Sequence, residues 1–121
     1  VDLAAVCQRW AQQDFYDVVS LVDELLVAAL SSGRVAGRIV SKTEIELSTS
    51  SETVSQTVPS AYFMRTICAR LAVVFADDEG VAQLYGGRVA RRVRVGDSIL
   101  DAELDFQNNL QAGAWFVVTR R

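Results

Sequence analysis

Histidine is absent from this 121-residue chain. Its absence excludes every histidine-dependent triad, every imidazole general base and most zinc sites. Lysine occurs once, as Lys42, so arginine carries nearly all the positive charge. That bias reads as a base-composition effect, with selection for planar, bidentate guanidinium contacts as the alternative. Proline also occurs once, as Pro59, and glycine is not over-represented, so wholesale disorder is not expected. The two cysteines, Cys7 and Cys68, are too few for a disulfide framework, and each falls on an apolar helical face. They are expected to be small core residues. No apolar run approaches the roughly 18 residues of a membrane span. The longest candidates are Leu25–Leu30 and Leu71–Ala76. The N-terminus carries no basic leader with a cleavage site, so the cytoplasm is the default compartment.

What remains is the composition of an ordinary globular chain, 50% hydrophobic and 22% charged. Its length fits a single domain over residues 1–121. Such a domain can bury about two-thirds of its surface without staples. The net charge of −3 argues against a general nucleic-acid binder, which is more often basic.

Asp2 can cap a first helix in which Leu3, Val6, Cys7 and Trp10 recur at helical spacing. The stripe fails at Gln12–Asp14, which predicts a break, with Asp14 capping a second helix to about Leu30. Phe15, Val18, Val19, Val22, Leu25, Leu26 and Ala29 share the apolar face of that helix. Gly33 is placed to stop it. From Val35 to Thr49 the period becomes two, which predicts one amphipathic strand with Arg38, Lys42, Glu44 and Glu46 on a solvated face. Residues 49–59 read as a Ser/Thr-rich loop, or as a weak second strand over Glu52–Val58. Pro59 suits the first turn of a long apolar helix, Ser60–Ala76, and a short helix is expected over Asp78–Tyr85.

The C-terminal third reads as three strands. With Gly96-Asp97 as a two-residue turn, Arg92 lies opposite Asp101 and Arg88 opposite Asp105, while Val93 faces Leu100 and Val89 faces Leu104. A one-residue slip would destroy both the charge pairing and the apolar pairing. After a loop at Gln107–Gly113, Ala114–Thr119 is nearly all apolar, which predicts a central strand covered on both faces. The fold expected is α+β: N-terminal helices, and a long apolar helix packed on a mainly antiparallel sheet of four to five strands.

The element order resembles two small layouts. One is the NTF2-like cone, in which leading helices and curved strands surround a pocket. The other is the hotdog fold, whose strand–Gly-Asp–strand turn is similar to Val93–Leu100. Either resemblance implies a pocket enclosed by sheet and helix. The hotdog catalytic acid or histidine has no counterpart in Pro59-Ser60-Ala61-Tyr62, where the central helix would begin.

The densest basic segment is Arg88–Arg94. Arg88, Arg91, Arg92 and Arg94 are candidate binding residues for phosphate or an acidic partner. The plainer account is a cross-strand lattice with Asp101, Glu103 and Asp105. Parity puts Arg91 with Val89, Val93 and Val95 on the core face, so it should need a carboxylate such as Asp77, Asp78 or Glu79, or a ligand. The same three acids lack the alternating spacing of a calcium loop and read as a helix start. The serines and threonines at 48–60 have no evident base beside them. Trp10 and Trp115 fit either core or interface.

No catalytic residue, cofactor site or metal site is expected. The leading expectation is a non-enzymatic, homo-oligomeric interaction or accessory domain. It would dimerise through its first helix or through an exposed edge near Lys42. The alternative is a pocket protein for a small apolar or acyl ligand, with weak enzymatic activity as a further option. Nucleic-acid binding through the arginine strand ranks last.

Overall fold

The computed structural model describes residues 1–13, 15–76, 85–109 and 113–121. Helix α1 (Leu3–Trp10) opens at Asp2, whose carboxylate accepts from the Ala4 and Ala5 amides at 3.1 and 3.3 Å. The expected break follows, with Gln13 at a positive φ of 49°. Asp14, the expected second cap, lies outside the described residues. A turn of 3-10 helix, Phe15–Asp17, leads into α2 (Val18–Ser32). Arg9 ties the two helices together by donating to Asp17 at 3.0 Å and to Glu24. Gly33 ends α2 in the left-handed conformation (φ 91°), and its amide closes on the Ala29 carbonyl at 2.8 Å. A side chain there would be strained.

The predicted strand over residues 35–49 is two strands, β1 (Arg34–Ser41) and β2 (Glu44–Thr49), joined by a turn at Lys42-Thr43. The reason for the misreading is geometric. Ile39 pairs with Ile45 and Gly37 with Leu47, so odd-numbered residues face the core before and after the turn. Alternation therefore runs straight through the hairpin, and the small irregularity near Val40 keeps the parity. The weak strand expected over residues 52–58 is β3 (Thr53–Thr57).

Helix α3 (Phe63–Phe75) starts later than Pro59 predicts. The preceding residues dock on the β1–β2 turn, with Val58 N–H donating to Thr43 O at 2.7 Å and Ala61 N–H to Lys42 O at 2.8 Å. Phe63, Met64, Ile67, Cys68, Leu71, Ala72 and Phe75 are buried along its inner side. Each large apolar side chain so buried contributes about 1.5–3 kcal/mol. Most of the helix expected over 78–85 lies outside the described residues.

Strands β4 (Gly86–Val95), β5 (Ser98–Asn109) and β6 (Gly113–Arg120) complete a six-stranded sheet, more than the four to five expected. The β4–β5 register is the expected one: Arg92 opposite Asp101, Arg88 opposite Asp105, Val93 opposite Leu100, Val89 opposite Leu104. The order is β3-β2-β1-β6-β5-β4, with every neighbouring pair antiparallel. Two three-stranded meanders thus join where β1 pairs with β6.

The three described helices cover one side of this sheet. Val35, Ile45, Leu47, Leu100, Leu104, Phe106, Phe116 and Val118 are buried beneath them. Leu3, Val6, Cys7 and Trp10 of α1 join that core, and the Trp10 ring meets Phe63 edge-on at 5.6 Å. The expectation that α1 offers its apolar face to a partner is therefore corrected, because that face is already used within the chain. Burial pushes the Cys68 thiol up to about 12 and the Cys7 thiol up to about 11. Neither is a nucleophile near neutral pH. Among the described residues, no helix is long and apolar enough to cross a membrane.

Candidate functional site

The side of the sheet away from the described helices carries none of the described elements, and its composition is uneven. Successive strands present Ser55, Glu46, Arg38, Trp115 and Gln107 in one cross-strand row. The next row runs Thr53, Ser48, Ala36, Val117, Asp105 and Arg88, and a third runs Arg34, Thr119, Glu103 and Ala90. Trp115 and Val117 project from β6, a central strand, and stay half-buried with no described helix above them. The expectation that β6 is covered on both faces is corrected: Ala114, Phe116 and Val118 are buried on one face, and Trp115 and Val117 on the other are only half-buried.

A recess of about 400 Å³ lies over this centre. Ala36, Trp115 and Val117 give it an apolar floor, and Arg34, Arg38 and Glu46 stand around it. Arg38 donates to Glu46 through Nε at 3.0 Å, and this hydrogen bond holds the Glu46 carboxyl below its ordinary range. Arg34 is exposed and has no carboxylate within salt-bridge distance among the described residues. Both sides of β6 carry paired charges, Arg38 with Glu46 on one and Arg88 and Arg92 with Asp101, Glu103 and Asp105 on the other, and Arg34 on the β1 side is the charge left without an acid among the described residues.

The enclosed pocket implied by the cone and hotdog layouts would lie on the other side of the sheet. Trp10, Phe75, Phe106, Phe116 and Met64 are fully buried on that side.

Arg88, Arg92 and Arg94 project onto the open face from β4, which is an edge strand. Arg88 reaches Glu103 at 3.3 Å and Asp105 at 3.2 Å, and Arg92 reaches Asp101 at 3.9 Å. The lattice expected from the register therefore forms. Arg94 stands opposite Ile99 and Arg91 opposite Ala102, so neither has an acid across the strand pair.

Arg91 corrects the expectation of a buried guanidinium. Its parity is as read, because Val93 and Val95 on the same face are buried, but Arg91 itself is exposed. The strand lies at the sheet edge, where core-side positions run out from under the helices. Asp77, Asp78 and Glu79, its expected partners, lie outside the described residues. Arg91→Met is accordingly expected to move the melting temperature by no more than about 2 °C, as for an ordinary surface change. A drop of 5 °C or more on thermal denaturation would mean that an ion pair was lost.

The strand edge proposed near Lys42 is also corrected. β1 is internal, and Lys42 sits in the turn that ends it. Sequence reasoning named Trp115 as core or interface but did not join it with Val117 and Ala36 into an open-face centre. The available signal was that the two alternating sides of β6, Ala114/Phe116/Val118 and Trp115/Val117, are both apolar. The single small residue Ala36 between Arg34 and Arg38 is part of the same signal.

No protein-family model matches the chain, and no curated protein matches it. Among the described residues, no group of acids and cysteines could hold a metal ion.

Proposed function

We propose that this chain is a non-enzymatic interaction domain that forms a homodimer through the open face of its sheet. The observation that carries the reading is the half-buried pair Trp115 and Val117 on a central strand with no described helix over them. An apolar strip in the middle of a sheet loses least when a second layer excludes water from it.

The charge layout favours a second copy as that layer. Turning one sheet over onto another about an axis along β6 sets each β1 above its partner's β5. Arg34 then faces the row that holds Glu103, since both lie in register with Thr119. The patch is thus self-complementary, as an isologous two-fold contact requires. Six strands at about 4.8 Å spacing and about 20 Å length present roughly 600 Å² per copy, at the small end of specific interfaces. A micromolar affinity is the matching expectation.

The test is sedimentation or light scattering at about 10–100 µM, the range a micromolar dimer requires. The wild type is expected to be dimeric, and Trp115→Asp monomeric with its thermal stability retained. Arg34→Glu and Glu103→Arg should each be monomeric alone. Mixed in equal amounts they should dimerise, because both cross-contacts then join opposite charges. A wild-type protein that stays monomeric, or a mixture that does not associate, refutes the reading.

A second reading has one observation in its favour. A recess of about 400 Å³ is within the range of small-ligand sites, and Trp115 and Arg34 suit an apolar carboxylate. Decanoate should then quench Trp115 fluorescence in a saturable way, and the quenching should be lost in Arg34→Glu.

A further inference from the structure

We infer that the β4 edge is a docking site for an acidic extended segment of another protein, which adds to the sheet as a seventh strand. The inference is independent of the dimer, since face-to-face stacking leaves both sheet edges open. β4 runs from Gly86 to Val95 with β5 as its only strand partner among the described residues. Along its other side the backbone amides and carbonyls make no ladder bonds to any described strand. A sheet edge of this length is a template for a further strand.

The side chains define the occupant. Arg88, Arg91, Arg92 and Arg94 are all exposed. Arg88 and Arg92 are engaged by acids of β5, whereas Arg91 and Arg94 face Ala102 and Ile99. These two also project from opposite faces of the sheet, so they bracket the free edge from above and below. An incoming strand with acids on its helix-free side would meet Arg94 and Arg92, and one acid of the other parity would meet Arg91.

A second copy is a poor occupant. Two β4 strands paired antiparallel would set arginines against arginines, and β3, the opposite edge, carries no acid in Thr53–Thr57. Nucleic acid is also disfavoured. β4 has no aromatic residue for base stacking, and the free strand edge offers backbone ladder partners that a nucleic acid cannot use. Arginine at an edge deters self-pairing, and the same charge selects an acidic partner.

The probe is a synthetic peptide of about eight residues alternating Glu and Val, with one central Val replaced by Glu so that an acid of each parity is present, and with a length matched to an ordinary strand. Binding is followed by titration calorimetry and by amide shifts in the wild-type protein. Saturable binding is expected, with the largest shifts in β4. Replacing Glu by Gln in the peptide, or Arg91→Glu with Arg94→Glu in the protein, should weaken it about tenfold or more, since two charge pairs are lost. N-methylation of alternate peptide amides keeps the charge but removes the ladder donors, and should abolish binding. Equal binding of the N-methylated peptide overturns strand addition, as does the absence of any binding. Tighter binding of oligo-dT at the same residues overturns the choice of partner. The N-methyl comparison uses only wild-type protein, so it decides the matter even if the double variant folds poorly.

Discussion

Replacing Gly37 by valine is expected to destabilise the domain by about 3 kcal/mol, at the upper end of the range for overpacked cores. Gly37 lies between Leu47 and Phe116, its cross-strand partners on β2 and β6. The Phe116 ring lies over the glycine. A Cβ there would come within 2.7 Å of Cζ, would press still closer on Cε1, and would stand 3.0 Å from a Leu47 methyl. Phe116 is itself fully buried, so the ring has no open space to enter. Valine gains some strand propensity over glycine, on the order of 1 kcal/mol, which the clash outweighs. Phe116→Leu in the same chain should recover part of the loss, giving a coupling of about 1 kcal/mol or more in a double-mutant cycle. Urea denaturation of the four proteins measures this. Wild-type stability in Gly37→Val would show that the ring does not cover the glycine. Because Gly37 and Phe116 neighbour Ala36 and Trp115 in the chain, the same packing sets the floor of the open-face recess.

Trp10→Ala should be as damaging, with a loss of about 3–5 kcal/mol. The side chain is fully buried and meets Phe63 edge-on, so it locks α1 against the start of α3. Its indole N–H is buried without a hydrogen-bond partner among the described residues. A stranded donor costs about 1–3 kcal/mol, and phenylalanine would remove that cost along with part of the packing. Trp10→Phe is therefore expected to fall within about 1.5 kcal/mol of wild type, the ordinary range for near-isosteric swaps. Equilibrium denaturation followed by far-UV circular dichroism gives both values. A loss below about 1 kcal/mol for Trp10→Ala would mean that α1 is a loosely docked appendage. Its apolar face would then be available to a partner after all.

The two surfaces proposed for interaction differ in kind. The open face has an apolar, recessed centre flanked by charged rows, with Arg34 in register with Glu103, and it suits a copy of itself. The β4 edge is linear and basic, and it suits an extended acidic chain. Both can be occupied at once, so a homodimer would present two acidic-segment sites.

Local pattern alone determined the α+β class, the Asp2 cap, the Gly33 stop, the buried cysteines and the full β4–β5 register. These rest on contacts between residues close in the chain, where a cap, a turn or a charge alternation has one satisfactory geometry. Helix and strand periods also reported correctly which residues share a face: Arg91 does project on the side of Val93, and Glu46 on the side of Arg38. What a period cannot report is whether that face is covered. Arg91 is exposed because β4 became an edge. Trp115 and Val117 are uncovered because all three described helices pack on the other side. β1 and β2 separated at a turn that left the alternation unbroken. Each outcome depends on which strand pairs with which and where a helix crosses. Those choices are made between residues far apart in the chain, where many arrangements bury the same stripes, and only the folded sheet selects among them.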